Sequence, residues 1–252
     1  MTPDQYVSSI IAKYAQFVRP QAVVNAATAV AGLVTTWANQ YLLQITYSGS
    51  SAKGTAIRGL ADVDLFVSLA PNTPGTLSDI YTSLLNYRGL NPYSPKRQNV
   101  SVGVTYGGIK IDIVPARKQA GNTTDHSLFR SKAQTWTQTN VSQHINLVQT
   151  CGRLDEMRAV KIWRALHGLD FPSFYLELTI LDALSGRRSG QLANNVWAVF
   201  SYLSSNFPTA VVIDPANSNN RISDDLTRAE KNSIAVQAAQ SLAAPIWEQI
   251  LW

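Results

Sequence analysis

The run Asp62-Val63-Asp64-Leu65-Phe66-Val67-Ser68 restricts this chain more than any other segment. Its branched and aromatic residues read as a β-strand, in which side chains two apart share a face. Asp62 and Asp64 therefore point the same way, while Val63, Leu65 and Val67 cover the other face and bury it. Two neighbouring carboxylates repel unless a cation stands between them, and a hard divalent ion with oxygen ligands meets that need. Upstream, Leu42-Leu43-Gln44-Ile45-Thr46-Tyr47 is another β-capable run, and Gly49-Ser50 suits a tight strand-to-helix turn. Free N–H groups and a hydroxyl at such a turn can hold a phosphate. A carboxylate pair alone would be ordinary solvated surface. Joined to a phosphate turn, to Lys53 and to an apolar strand, it indicates nucleotide plus metal.

A third carboxylate follows from the same alternation. Val100, Val102 and Val104 alternate with polar residues, Tyr106-Gly107-Gly108 turns the chain, and Ile109, Ile111 and Ile113 alternate again. This is a hairpin whose second strand turns Lys110 and Asp112 away from the isoleucines. If those isoleucines pack inward as the valines of the first acidic strand do, Asp112 stands beside Asp62 and Asp64. Three converging carboxylates are what two Mg²⁺ ions need for in-line phosphoryl transfer.

The pattern G-S-x-x-K-G-T-x-x-x-G-x-x-D-x-D, from Gly49 to Asp64, resembles the signature of polymerase-β-type nucleotidyltransferases. In particular it resembles the 2′-5′-oligoadenylate synthetase and cGAS/DncV-like (CD-NTase) branch. Trp136 to Val141 is similar to that branch's W-x-x-T-x-P linker, with valine in place of proline. Asp214 to Asn220 is similar to its D-P-x-x-P-x-N-N stretch, lacking one proline. The resemblance implies an α+β fold: a mixed-sheet nucleotidyltransferase lobe with a long N-terminal spine helix, residues 1–135, packed on a helical lobe, residues 136–252. It implies catalysis and metal binding by Asp62, Asp64 and Asp112, with two Mg²⁺ ions, or Mn²⁺ in their place. Gly49, Ser50 and Lys53 would bind the nucleotide. Lys161 and Ser173 fall where the branch carries residues that contact the donor triphosphate. The implied activity joins NTPs, ATP and GTP favoured, into short linear or cyclic oligonucleotide signals for antiviral defence, releasing pyrophosphate. Tyr175 is a candidate platform for a base.

The remainder of the chain supplies the frame. An apolar share of 45% and a charged share of 15% are those of a globular domain, and no run is long enough to span a membrane. Met1 to Tyr6 lacks the pattern of a signal peptide, and the single Cys151 excludes an internal disulfide, so a cytoplasmic setting is expected. A net charge of +5 suits a triphosphate-handling enzyme. Tyr6, Ile10, Tyr14 and Phe17 fall at helical spacing, and so do Val23, Ala27, Val30, Val34, Trp37 and Tyr41. Residues 118–131 read as a loop over the cleft. From Leu154 the chain reads as helices, with a solvated basic face of Arg153, Arg158, Lys161 and Arg164. Those arginines, with Arg187 and Arg188, form a candidate surface for an activator, duplex RNA or protein; no obligatory protein partner and no membrane are indicated. Ser223 is a candidate cap for the last helix. His126, His144 and His167 are too dispersed for a metal set, and neither a G-x-S-x-G elbow nor a P-loop is present.

Overall fold

A computed structural model describes residues 1–15, 18–58 and 62–252. Phe17 of the first helical stripe and Gly59 of the signature lie outside the described residues. In chain order come helix α1 (Pro3–Tyr14), α2 (Gln21–Ala38), strand β1 (Leu42–Tyr47), short helix α3 (Gly49–Lys53), β2 (Val63–Leu69), α4 (Leu77–Leu85), β3 (Lys96–Arg97), β4 (Val102–Tyr106) and β5 (Ile109–Lys118). Then follow β6 (His126–Arg130), β7 (Thr135–Thr139), α5 (Val141–Thr150), α6 (Leu154–Leu166), α7 (Ser173–Ala183), α8 (Leu192–Ser205), β8 (Ile213–Asp214), β9 (Asn217–Arg221) and α9 (Arg228–Ala243). The fold is α+β. Among the described residues, no helix is long and apolar enough to cross a membrane.

The chain divides into two compact units. One comprises Val18–Ala52 and Asp62–Ile145; the other comprises Met1–Phe17, Lys53–Ala61 and Asn146–Trp252. In the first, a mixed sheet runs in the order β1-β2-β5-β4-β3, with β6 on the end of β5 and β7 on β6. β2 and β5 are parallel and their neighbours antiparallel. The period-2 pattern explains the layering. Val63, Leu65, Val67, Leu69, Ile111 and Ile113 face one side, where Ala27, Val30 and Val34 of α2 and Ile80 and Leu84 of α4 close a core over them. Asp64, Phe66 and Ser68 are left on the other side. The β4–β5 turn needs positive φ at two successive residues, and Gly107 (φ 55) and Gly108 (φ 79) supply it without the steric cost of a Cβ.

In the second unit, Val7, Ile10 and Ile11 of α1 join Met157, Val160 and Trp163 of α6, Tyr175 and Leu176 of α7 and Val196, Val199 and Phe200 of α8 in one core. The segment after α3 belongs here: Ile57 is buried in this core and pairs with Ala15, and Arg58 N–H donates to Tyr14 carbonyl.

Three expectations change. Residues 126–130 form a strand, because β5 extends far enough to offer Arg117 and Lys118 as an edge for Ser127 and His126. His126 is accordingly buried, with Nε2 2.7 Å from Ser68 Oγ. The basic stripe of α6 turns inward, since carbonyls and carboxylates satisfy it: Arg153 binds Glu156 and the carbonyls of Arg187 and Arg188, and Arg158 binds Gly54 carbonyl. Arg153 and Arg158 are therefore committed inside the unit, whereas Arg187 and Arg188 remain exposed. The last helix starts after a separate turn containing Ser223 and is capped by Thr227. Glu230 N–H donates to Thr227 Oγ1 at 3.3 Å and Thr227 N–H donates to Glu230 Oε2 at 2.7 Å. A Thr227→Ala chain is expected to lose about 1 kcal/mol, measured by urea unfolding.

Candidate active site

Parallel pairing of β2 with β5 sets Asp64 opposite Asp112, Leu65 opposite Ile113 and Val63 opposite Ile111. Partners in register share a face, so the two carboxylates emerge side by side from neighbouring strands. Asp62 lies one residue before β2, exposed, and close enough to Asp112 to raise its pKa. Burial is the larger cause of that rise, and a hydrogen bond from Gln98 Nε2 to Asp112 Oδ1 (2.9 Å) opposes it. Burial and the Asp62 charge thus both disfavour ionisation of Asp112.

Glycines make the room. Gly49 has φ +60, and a Cβ there would stand 1.8 Å from Asp64 Oδ2. Gly103, paired with Asp112 across β4–β5, would place a Cβ 3.2 Å from Asp112 Oδ1 and 2.6 Å from Gln98 Nε2. Each sheet carboxylate therefore lies over a bare backbone. The Gly49-Ser50 turn is locked beside them: Ser48 N–H donates to Asp64 carbonyl (2.9 Å), and Ala52 N–H donates to Ser48 carbonyl to start α3. Arg19, not singled out from sequence, adds charge here, with its guanidinium 3.9 Å above the Tyr47 ring and its Nε donating to Ser51 Oγ. Among the described residues, no three Asp, Glu, His or Cys side chains are already gathered to hold a metal ion, and Gln98 holds Asp112. The donor set still fits a hard divalent ion: carboxylate oxygens, like charge in need of neutralisation, and space cleared by the glycines.

The remaining candidate residues lie in the helical unit. Lys53 and Lys161 both bind Glu177, which is completely buried in α7. Lys53 Nζ donates to Oε2 at 2.9 Å and lies 4.0 Å above the Phe174 ring. Lys161 Nζ donates to Oε1 at 2.5 Å and to Thr55 Oγ1 at 2.6 Å, and Thr55 donates onward to Oε1 at 2.7 Å. Burial pushes Lys161 down to about 8 even with Glu177 beside it. Glu177 moves the opposite way to a buried acid, held low by Lys161 and Lys53 against its desolvation. Two ammoniums facing one carboxylate account for that asymmetry. Ser173 opens α7 and accepts from Arg164 Nη1 at 3.1 Å. Tyr175 is buried against Phe171 and Phe207, so it offers no open face as a base platform. Glu177, Thr55, Gln98 and Gly103 were missed from sequence. A lone acid inside the apolar run Phe174-Tyr175-Leu176-Glu177-Leu178 was the available signal for the first.

No family profile matches the chain. A cyclic AMP-AMP-AMP synthase of Escherichia coli (strain MS 115-1) is 26% identical over 243 residues, 79% of this chain and 76% of that protein. The CdnC structure of E. coli MS115-1 with ATP superposes with a TM-score of 0.74 at 20% identity, covering 98% of this chain and 96% of that one. The CD-NTase CdnG of Bradyrhizobium diazoefficiens, solved with GTP, gives 0.75 at 14% identity over 94% and 89%. The chain thus has the fold of the CD-NTase (cGAS/DncV-like) nucleotidyltransferases, and its sequence, with the Gly-Ser turn and the paired carboxylate strands, is similar to that of a cyclic AMP-AMP-AMP synthase.

Proposed function

We propose that the chain joins nucleoside triphosphates, ATP or GTP, into short linear or cyclic oligonucleotide signals with release of pyrophosphate. The observation that carries this reading is the register of Asp64 against Asp112 on adjacent parallel strands, beside the Gly49-Ser50 turn. Asp62, Asp64 and Asp112 would hold Mg²⁺, which when bound neutralises phosphate charge and acidifies the attacking hydroxyl. The N–H groups and hydroxyl of Gly49 and Ser50 bind donor phosphate. Asp112 accepts the proton of the acceptor's 2′- or 3′-hydroxyl as its oxygen attacks the α-phosphorus; the bond to the pyrophosphate oxygen breaks and pyrophosphate departs. Lys161 and Ser173 contact the triphosphate, and Lys53 supports them through Glu177. Residues 1–135 thus carry the carboxylates and the turn, and residues 136–252 carry Lys161 and Ser173. The reaction is placed in the cytoplasm, with duplex RNA or a protein as the candidate activator.

Incubation with each labelled NTP and Mg²⁺, with and without duplex RNA, followed by mass analysis, tests the reading. Oligonucleotides and stoichiometric pyrophosphate are expected. Transfer only onto added tRNA or protein, or pyrophosphate with no oligonucleotide, would reject it.

A further inference from the structure

We infer that Glu177 is a positioning residue for nucleotidyl transfer: its buried carboxylate, bound by Lys53, Thr55 and Lys161, holds the Lys161 ammonium charged and in place for the donor triphosphate. This rests on the triphosphate contact proposed above for Lys161. The geometry supports it in three ways. Glu177 draws together groups distant in the chain, from the end of α3 and the segment following it and from α6, onto α7. Its single negative charge faces two ammoniums, so the buried cluster carries a surplus positive charge suited to an anion. An ammonium has three N–H donors, and Thr55 and Glu177 take two of those on Lys161, which is 1% exposed, so the direction of the third is fixed.

Neighbouring segments are anchored as tightly. Gly54 carbonyl accepts from both Nε and Nη2 of Arg158, at 2.9 and 2.7 Å, so residues 53–55 are each tied to α6 or α7. The charged groups acting on Lys161 are Glu177, which favours its ammonium, and Lys53 and Arg164, which oppose it. Removing the acid must therefore discharge Lys161 at lower pH, and removing Lys53 must do the reverse.

The test is KM for ATP against pH with Mg²⁺ present. In the unaltered chain KM is expected to stay level up to about pH 8 and climb above it as Lys161 loses its proton, with kcat little changed. In Glu177→Gln the climb should begin about one to three pH units lower, the range an opposite charge at contact distance supplies. Lys161→Arg placed on Glu177→Gln should flatten the profile again, because a guanidinium stays charged throughout. Lys53→Met should move the climb upward. A folded Glu177→Gln with an unaltered KM profile overturns the inference. Should that variant fail to fold, an unmoved profile in Lys53→Met overturns it instead. A parallel NMR titration of lysine Cε signals in nucleotide-free protein separates the two layers. If Lys161 titrates lower in Glu177→Gln but KM does not follow, the Lys161–triphosphate contact fails, and with it the part of Glu177 in the reaction. If Lys161 does not move, the hold of Glu177 on it is itself disproved.

Discussion

Asp64→Asn is expected to lower the rate of NTP incorporation by about a thousandfold or more while the chain stays folded. Asparagine matches aspartate in volume, so the space over Gly49 stays filled and the pairing of β2 with β5 is undisturbed. What disappears is one negative charge beside Asp112, whose own ionisation is opposed by burial and by Asp62. Because the substitution keeps the side chain's shape and its place in the paired strands, the melting temperature of Asp64→Asn without metal should stay near that of the parent. Loss of activity with retained stability is a signature that unfolding cannot imitate. Single-turnover product analysis and a thermal melt on the same sample give both numbers. An Asp64→Asn chain that turns over at the parent rate would remove this carboxylate from the chemistry.

The acidic strands were legible because period-2 alternation is a local property. The valines and isoleucines declare which face is buried, and Asp64 and Asp112 are then assigned to the other without knowledge of the fold. Their adjacency needed one further assumption, that both apolar faces enter the same core, and the sheet order places β2 beside β5. The lysines were not legible in the same way. Lys161 falls on a helix with a basic stripe, a pattern that ordinarily marks solvent. Its partner Glu177 is 16 residues away in sequence, and the other acceptor, Thr55, is 106 away. No periodicity encodes pairings at such separations. The same limit hid β6, because strand pairing at an edge depends on how far β5 runs before it ends, and His126 and Leu128 alone read equally well as loop. Gly103 escaped notice because a glycine inside a strand acquires meaning only from what lies opposite it.

Gly49→Ala should prove nearly as damaging to activity as Asp64→Asn, for a different physical reason. Two costs arise at this position. At φ +60 an L-residue is strained by about 1–2 kcal/mol. The new methyl would also stand 1.8 Å from Asp64 Oδ2, a separation no pair of nonbonded atoms tolerates. The backbone of Asp64 cannot retreat, since β2 is paired with β1 on one side and β5 on the other and Ser48 N–H is bonded to its carbonyl. The carboxylate must rotate away from the turn, or α3 must move and take the phosphate contacts proposed for Gly49 and Ser50 with it. Either response separates the two halves of the site. Gly107→Ala provides the control: φ there is +55, and a Cβ would meet nothing within 4 Å. It should lose a similar amount of stability from backbone strain and keep its activity. The difference in rate between the two alanine chains therefore reads what the Gly49 position contributes beyond backbone strain, its clearance for Asp64 and the proposed phosphate turn it belongs to. Equal activities in the two would mean that the turn does not constrain the carboxylate, and the close approach seen here would then play no part in catalysis.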